Sequence, residues 1–247
     1  MTRLSLIVPM YQLGKYLAPM LQTVADQTAE FELWLVDDGS SDDTLAQAQR
    51  FVAGIPNWHA EALPHHSGIG AARNFGLEQA TGDIVAFVDG DDRLAADYVE
   101  TMYTGFTMQP QVAAVTVGYQ WWGGGAPRHG RWQQLDQRTM FEQVSHHGTQ
   151  VGGYVWNKAF ARTAIGALRF DEQLAIAEDY WFTASFVAAN AGSYWFEPTL
   201  RYTKVTRPNS TIHSATWGMR AQEDEVFAKI SRLGEHLNNG HDHDRHH

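Results

Sequence analysis

Three carboxylates stand within four positions in the segment AFVDGDDRLA, residues 86–95. Asp89, Asp91 and Asp92 follow an apolar run that is typical of a buried strand. Like charges this close repel one another unless water or a cation screens them. Carboxylate oxygens suit Mg²⁺ or Mn²⁺, and Mg²⁺ commonly binds one or two protein carboxylates together with substrate phosphates. The spacing favours a metal ion facing Asp89 and Asp91, with Asp92 capping the next helix.

Two further acidic segments are candidates for a site. Asp37 and Asp38 end an apolar run in VDDGSSDDT, residues 36–44, whose later Ser and Asp residues are typical of a helix N-cap. Glu178 and Asp179 open a predicted helix, where the helix dipole alone also favours acidic residues. Both segments therefore have a structural interpretation beside the functional one.

Alternating strand and helix patterns predict an α/β protein with a Rossmann-like, mainly parallel central sheet flanked by helices. Apolar runs of strand length occur at 4–8, 31–36, 59–63 and 83–88, with Pro9 ending the first. Helices are predicted from residue 17, from residue 44 and over 70–80. Ligands of such sheets bind at the carboxyl ends of the strands. The polar segments PMY, DDGSSDD and DGDD should therefore meet at one edge.

The alternation is less regular after residue 109. Strands are predicted at 112–122, near 194 and over 201–205, with RWQQL at 131–135 as a hairpin partner of the first. Helices are predicted over 180–190 and 217–237. The polar tail HDHDRHH, residues 241–247, is expected to be disordered, and no function is predicted for it.

Composition limits the classes of function. The formal net charge of −10 predicts no overall attraction to nucleic acid. The absence of cysteine excludes a disulfide framework and thiolate metal sites, and fits a reducing compartment. No stretch approaches the ~18 consecutive apolar residues of a membrane-spanning helix, and no signal-peptide pattern begins the chain. We therefore expect a cytoplasmic protein without a transmembrane segment, and leave open a homodimer and contact with the inner face of the plasma membrane.

Four segments together resemble the family 2 glycosyltransferases, which have the GT-A fold. They are residues 5–44, from SLIVPMY to DDGSSDDT; 67–92, from SGIGAARN to DGDD; VWNKAF at 155–160; and AEDYWF at 177–182. The likeness extends over roughly residues 4–215, in family-like order and spacing. It implies one GT-A domain over residues 1–240, in which about 1–110 bind the nucleotide sugar and a smaller C-terminal region, about 111–240, binds the acceptor.

The resemblance also implies a set of donor-binding residues. Those implied for the nucleotide sugar are Pro9, Tyr11, Asp38, Gly70, Arg73, Asn74, Asp89 and Gly90. Tyr11 would stack on the base and Asp38 would accept a uracil N–H. Asp89 and Asp91 match the family's DxD motif, so the implied ligands of Mn²⁺ or Mg²⁺ are Asp91, Asp89 and His213. Arg207 is an alternative group for the diphosphate.

On the acceptor side, the resemblance makes Asp179 the general base, with Glu178 beside it. Trp156, Asn157 and Lys158 match a WNK motif and are implied at the acceptor, although Trp156 could equally belong to the core. A further set of aromatic residues around a glycine loop is either a sugar-binding surface or packing: Trp121, Trp122 and Trp132.

The implied activity is transfer of a sugar from a nucleoside diphosphate, most simply UDP, to a hydroxyl of a saccharide or lipid-linked saccharide, with inversion. Synthesis of a cell-surface or extracellular polysaccharide or glycoconjugate is the implied context. Two alternatives remain at this stage. One is a catalytically silent module that binds sugar nucleotides; the other is a sugar-nucleotide pyrophosphorylase, although VPMYQLGKYL at 8–17 lacks the Gly-rich, basic phosphate loop of those enzymes.

Overall fold

A nine-stranded sheet forms the centre of the described part of the molecule. The structure is a computed structural model that describes residues 3–122, 130–207 and 216–243, with side chains described as far as residue 237. The strands are β1 Leu4–Met10, β2 Glu32–Asp37, β3 Trp58–Ala62, β4 Ile84–Phe87, β5 Arg93–Leu94, β6 Val112–Trp121, β7 Gln133–Leu135, β8 Lys158–Ala161 and β9 Ser193–Lys204.

Eight α-helices of the described residues accompany the sheet. They are α1 Leu17–Ala25, α2 Thr44–Val52, α3 Ile69–Gln79, α4 Tyr98–Thr107, α5 Gln137–Val144, α6 Arg162–Ile165, α7 Glu178–Ala189 and α8 Trp217–His243. The helical stripe of α1 is fully buried, as its spacing predicts, because Leu17, Met20, Leu21 and Val24 all face the sheet-side core.

Most strands run in one direction, which confirms the predicted α/β class and its mainly parallel sheet. The strand order is β3-β2-β1-β4-β8-β6-β9-β5, with β7 also pairing with β9. The first four strands in this order are mutually parallel, and β6 and β9 continue in the same direction. Strands β5, β7 and β8 run antiparallel to their neighbours. The sheet buries an apolar cluster on each face.

Several predicted boundaries were wrong. Pro9 lies inside β1 rather than ending it. The RWQQL segment pairs with β9 and not with β6, because both edges of β6 are already occupied by β8 and β9. The two short strands expected near 194 and 201–205 are one strand, β9, whose pairing with β6 shifts register beside Gly118. Helix α8 continues to His243, six residues past its predicted end and into the tail expected to be disordered.

For five elements the sequence predicted no bounds. They are the short strands β5 and β8 and the helices α4, α5 and α6, although a helix was expected after Asp92. Strands β5 and β8 and helix α6 have four residues or fewer, which is too short for a periodic pattern. Among the described residues, no helix combines the length and the apolar character needed to cross a lipid bilayer.

Candidate active site

The polar segments after β1 and β2 meet at one edge of the sheet, as predicted. The Asp38 N–H donates to the Met10 carbonyl at 2.8 Å, and the Gln12 N–H donates to Ser40 Oγ at 2.9 Å. These contacts fix the PMY and DDGS segments against each other at the carboxyl ends of two parallel strands. This is the place where ligands of such sheets bind.

The DGDD loop after β4 joins this edge through its glycine. A Cβ atom at Gly90 would lie 2.5 Å from Leu13 Cδ1 and 3.1 Å from the Pro9 carbonyl oxygen. A side chain at this position would displace Leu13 and crowd the Pro9 carbonyl, so glycine suits the close approach of this loop to the end of β1. Pro9 therefore contributes its backbone to the site.

Asp38 is buried and binds the segment that leads into α3. Its Oδ1 accepts from the Ser67 N–H at 2.7 Å, and its Oδ2 accepts from the Gly68 N–H at 2.8 Å. His66 Nδ1 also lies 2.8 Å from Oδ2. The carboxylate expected to contact a base is thus occupied by residues 66–68 of this chain.

Tyr11 lies at the surface of this edge with 37% of its area exposed. Its ring is parallel to the His66 imidazole, with centroids 4.0 Å apart and an interplanar angle of 15°. The sequence analysis did not single out His66. The signal that could have found it is an aromatic residue directly before the Ser-Gly pair that opens α3.

Arg73 is the central cation of the site. It projects from α3, is 1% exposed, and donates to Asp89 at 2.9 Å and to Glu178 at 2.6 Å. Its guanidinium also lies 5.3 Å from the centroid of the Phe170 ring. Arg73 therefore links the DGDD loop to the start of α7, bringing together three sequence-predicted residues.

Asn74 and Gly70 also lie on α3, but they pack against another loop. The Asn74 side chain exchanges hydrogen bonds with the Phe170 backbone and donates to Glu172 Oε1 at 2.9 Å. A Cβ atom at Gly70 would lie 3.4 Å from the Asp171 carbonyl oxygen. Both residues therefore position the loop over 170–172 within the site.

Lys204, at the end of β9, is a site residue that the sequence analysis missed. Its Nζ donates to Asp89 at 2.6 Å and to Asp92 at 2.9 Å. Burial raises the pKa of Asp89, but Lys204 and Arg73 outweigh burial and hold it at about 2. Asp89 is therefore ionised at neutral pH. No motif marks Lys204, because only the pairing of β9 with β5 and β6 brings it to the loop.

Asp92 does not cap the following helix, which corrects the expectation. The N-cap of α4 is Asp97, whereas Asp92 is buried and accepts hydrogen bonds from Tyr202 Oη and the Val205 N–H. Burial, with Asp89 and Asp91 nearby, raises the pKa of Asp92 to about 7 despite the opposing effect of Lys204. Asp92 thus ties the DGDD loop to the end of β9.

Asp91 is the carboxylate of this loop with an open oxygen. Its Oδ2 forms an ion pair with Arg207, while its Oδ1 has no hydrogen bond to a described residue. Arg207 thus lies beside the loop, and its expected role at the diphosphate stays a prediction. His213, the other alternative, lies outside the described residues.

A divalent cation fits this donor set if a substrate supplies further ligands. Within the described ranges, no group of three or more His, Asp or Glu side chains could hold a metal ion alone. Both oxygens of Asp89 already bind Arg73 and Lys204, which leaves Asp91 as the available carboxylate. One or two protein carboxylates with phosphate oxygens suffice for Mg²⁺.

The acidic pair at the start of α7 follows a strained residue. Ala177, the N-cap, has φ of 59° and ψ of 17°, in the left-handed region that non-glycine residues rarely adopt. Such strain clusters at functional sites, where the surrounding structure holds it. It directs Glu178 to Arg73 while Asp179 takes a different environment.

Asp179 has no cationic partner among the described side chains. Its Oδ1 accepts the Tyr180 N–H at 2.8 Å, and the residue keeps partial solvent exposure. Burial and then the charge of Glu178 raise the pKa of Asp179 to about 7, although Arg73 opposes this. Asp179 can therefore exchange a proton near neutral pH.

The WNK residues lie beneath the site and not on its surface. Trp156 is 2% exposed and stacks between Tyr154 and Tyr202, at 4.5 Å from each ring centroid. Asn157 and Lys158 are fully buried. The three side chains are therefore not placed to contact an acceptor as expected, because each is buried and already contacts other residues of this chain.

Lys158 holds the loop before β8. Its Nζ lies 2.7–3.0 Å from the carbonyl oxygens of Val151, Gly152 and Tyr154 and 2.8 Å from Asn157 Oδ1, so its three N–H groups are shared among these four acceptors. This loop packs on α7, because a Cβ atom at Gly153 would lie 2.2 Å from Tyr180 Cδ1. The WNK segment therefore positions the loop beside the start of α7.

The three tryptophans near the glycine loop have different environments. Trp132 is half-buried and packs edge-on against Trp195, at 6.4 Å between centroids, so it is a packing residue. Trp121 and Trp122 are exposed by 42% and 67% at the end of β6. The Trp122 N–H donates to the Lys204 carbonyl, which places this pair at the edge of the site. The loop over 123–129 lies outside the described residues.

Comparison with solved structures supports the fold. The chain superimposes on Staphylococcus aureus TarS, residues 1–349 in complex with UDP-GlcNAc, with a TM-score of 0.75 and 22% identity, covering 94% of this chain and 66% of that one. A mannosyltransferase of Pyrobaculum calidifontis, PcManGT, in complex with GDP-Man and Mn²⁺, gives a TM-score of 0.66 at 22% identity, covering 94% and 64%. The GT-A fold is thereby confirmed.

Comparison of sequences identifies the family. The putative glycosyltransferase EpsH of Bacillus subtilis (strain 168) is 28% identical over 233 residues, covering 89% of this chain and 63% of EpsH. The chain thus spans less than two thirds of the length of each of these relatives. The family model described as glycosyl transferase family 2 matches residues 5–165. The chain belongs to glycosyl transferase family 2.

Proposed function

We propose that this chain transfers a sugar from a UDP-sugar to an acceptor hydroxyl by a single displacement with inversion. Asp179 is the general base that removes the acceptor proton. The observation that carries this proposal is the contrast at the start of α7, where Glu178 is paired with Arg73 and Asp179 is not paired. A general base whose pKa lies near the working pH is often deprotonated and still has enough affinity to take a proton from the acceptor.

The donor side of the proposal rests on the DGDD loop. Asp89 is held ionised by Arg73 and Lys204, and it would position these two cations beside the nucleotide sugar. Asp91, with Arg207 beside it, would hold Mn²⁺ or Mg²⁺. A bound divalent cation would neutralise charge on the departing diphosphate. Lys204 and Arg207 contribute further positive charge at the same edge of the sheet.

The proposed donor nucleotide and acceptor class are based on the similar proteins. TarS binds UDP and UDP-GlcNAc in its solved complexes, whereas PcManGT binds GDP-Man. TarS is named a poly(ribitol-phosphate) beta-N-acetylglucosaminyltransferase, which acts on a polymer. We therefore propose a saccharide or other polymer of the cell surface as the acceptor class.

The activity is tested by UDP release. The purified chain is incubated with Mn²⁺ and a panel of UDP-sugars and GDP-mannose, with and without saccharide acceptors, and released nucleotide is measured. We expect release from one UDP-sugar above the level with EDTA. Tight binding of a UDP-sugar without release under any condition would instead identify a silent binding module.

A further inference from the structure

His66 has three contacts at the edge of the sheet where Tyr11 and Asp38 lie and where we propose that the base binds. Its Nδ1 lies 2.8 Å from Asp38 Oδ2 and 3.3 Å from the Asp38 carbonyl oxygen, and its ring stacks on Tyr11. The side chain is nevertheless 52% exposed. One face and one nitrogen of this imidazole are therefore fixed, while the opposite edge faces outward.

The backbone geometry that brings His66 to this position depends on Gly39. Gly39 has φ of 73°, and a Cβ atom there would lie 2.8 Å from the His66 backbone nitrogen. Only glycine permits this close approach together with a positive φ. The DDGS turn and the segment over 65–68 are thus built to lie against each other.

The Asp38 carboxylate is already used by this segment. It accepts from the Ser67 and Gly68 N–H groups and from His66 Nδ1. A carboxylate has about four acceptor positions, so three are occupied before any ligand arrives. Asp38 therefore serves first to orient the segment.

The contact with Asp38 also defines the tautomer of His66. An ionised carboxylate can only accept hydrogen bonds, so Nδ1 must carry the proton. In the neutral ring, Nε2 is then a hydrogen-bond acceptor. Nε2 makes no hydrogen bond to a described residue, in a side chain that is 52% exposed and stacked on Tyr11.

We infer that His66 is a specificity-determining residue of the nucleotide site, where its Nε2 accepts a hydrogen bond from the ring N–H of the base. This inference rests on the proposed function and specifies how the donor is selected. A base with a ring N–H, such as uracil, satisfies Nε2. Cytosine has a bare acceptor nitrogen at the same ring position, so two acceptors would face each other.

The test compares UDP and CDP binding by calorimetry with Mn²⁺ present. His66→Phe keeps a ring to stack on Tyr11 but removes both nitrogens. His65→Phe is the matched control, because His65 is exposed and its side chain has no contact with Asp38 or Tyr11 among the described residues. We expect the parent and His65→Phe to prefer UDP, and His66→Phe to lose about 3- to 10-fold of that preference, the range set by one net hydrogen bond.

The outcomes separate this inference from the proposed function. If His66 only holds the segment over 66–68, His66→Phe would weaken UDP and CDP equally and the preference would be unchanged, which overturns the inference alone. Equal loss of preference in His65→Phe would also overturn it. If the parent binds neither nucleotide, both the inference and the proposed function fail.

Discussion

At the scale of single residues, the carboxylates of the site differ in how their charge is compensated. Asp89 has two cations and Glu178 and Asp91 each have one, through Arg73, Lys204 and Arg207. Asp179 accepts only a backbone N–H. Burial and the nearby charge of Glu178 raise the pKa of Asp179 to about 7, and burial raises that of Asp92 to a similar value although Asp92 is paired with Lys204. Asp179 differs from Asp92 in having no cationic partner among the described side chains.

Asp91→Asn is expected to keep the fold but lose the part of UDP affinity that depends on metal. The amide retains one oxygen but loses the negative charge that would bind a divalent cation. Calorimetry with UDP, in Mn²⁺ and then in EDTA, measures this directly. Unchanged UDP affinity with the parent's sensitivity to EDTA would remove Asp91 from the metal site.

Asp179→Asn and Glu178→Gln are expected to change stability in opposite directions at pH 8. The folded-state pKa of Asp179 is raised from an ordinary 3.8 to about 7, so the protein loses stability as the pH rises between these two values, and the ionised group opposes folding at pH 8. Asp179→Asn should therefore melt no lower than the parent. Glu178→Gln should melt lower, because it leaves buried Arg73 with one partner fewer. Thermal melts of both variants at pH 8 measure this, and a lower melting temperature for Asp179→Asn would contradict the assignment.

At the scale of elements, the site is held by contacts between segments that are distant in the chain. Lys204 and Tyr202 on β9 bind the DGDD loop, and Arg73 on α3 binds the start of α7. The strained N-cap Ala177 sets the direction of α7. Each of these elements therefore contributes one side chain or one backbone turn to a shared cluster of charges.

Lys204→Met is expected to destabilise the protein by about 3 to 5 kcal/mol, because it leaves the buried Asp92 without its cation and the partly buried Asp89 with Arg73 alone. Adding Asp92→Asn should recover part of that loss, since the buried charge of Asp92 is then removed. Denaturant unfolding of the two single variants and the double variant measures the coupling. Strict additivity would mean that Lys204 and Asp92 do not interact energetically.

The sequence predicted the elements that have a clear apolar pattern and the residues that belong to local motifs. Strands β1, β2 and β4 have apolar runs and α1 has a helical stripe, whereas α3 and α7 are buried on most sides and carry motifs instead. Arg73 and Asp89 belong to such motifs. Lys204 and His66 were not predicted, because their roles arise from strand pairing and from a turn that brings distant segments together. The burial of the WNK residues could not be predicted either, because the sequence of a tryptophan, an asparagine and a lysine does not indicate whether their side chains are exposed.

At the scale of the whole molecule, one continuous sheet joins the two sides of the site. Strands β1 to β4 supply the segments proposed to bind the donor, and β8 adds the antiparallel strand that connects them to β6 and β9. Helix α7 pairs Glu178 with Arg73 from the other side and brings Asp179 near the same cation. We propose that the donor region precedes the acceptor region along the chain, as the resemblance implies.

A UDP ligand should stabilise the whole molecule through this arrangement. Binding to the folded state alone raises the free energy of unfolding by mass action, about 2.7 kcal/mol at a hundredfold excess over Kd. UDP with Mn²⁺ should therefore raise the melting temperature more than GDP or dTDP at equal concentration. A larger shift with GDP would transfer the donor proposal to GDP-sugars.

The central claim is that Asp179 removes the acceptor proton, and the pH profile of kcat/KM tests it most directly. With the UDP-sugar that the chain turns over, the parent's rate should rise with pH and level off above an apparent pKa near 7, because the base acts when deprotonated. Asp179→Asn should bind UDP like the parent and lose at least about 10²-fold in kcat, together with that limb of the profile. Near-parental turnover with the same pH limb in Asp179→Asn would contradict the account.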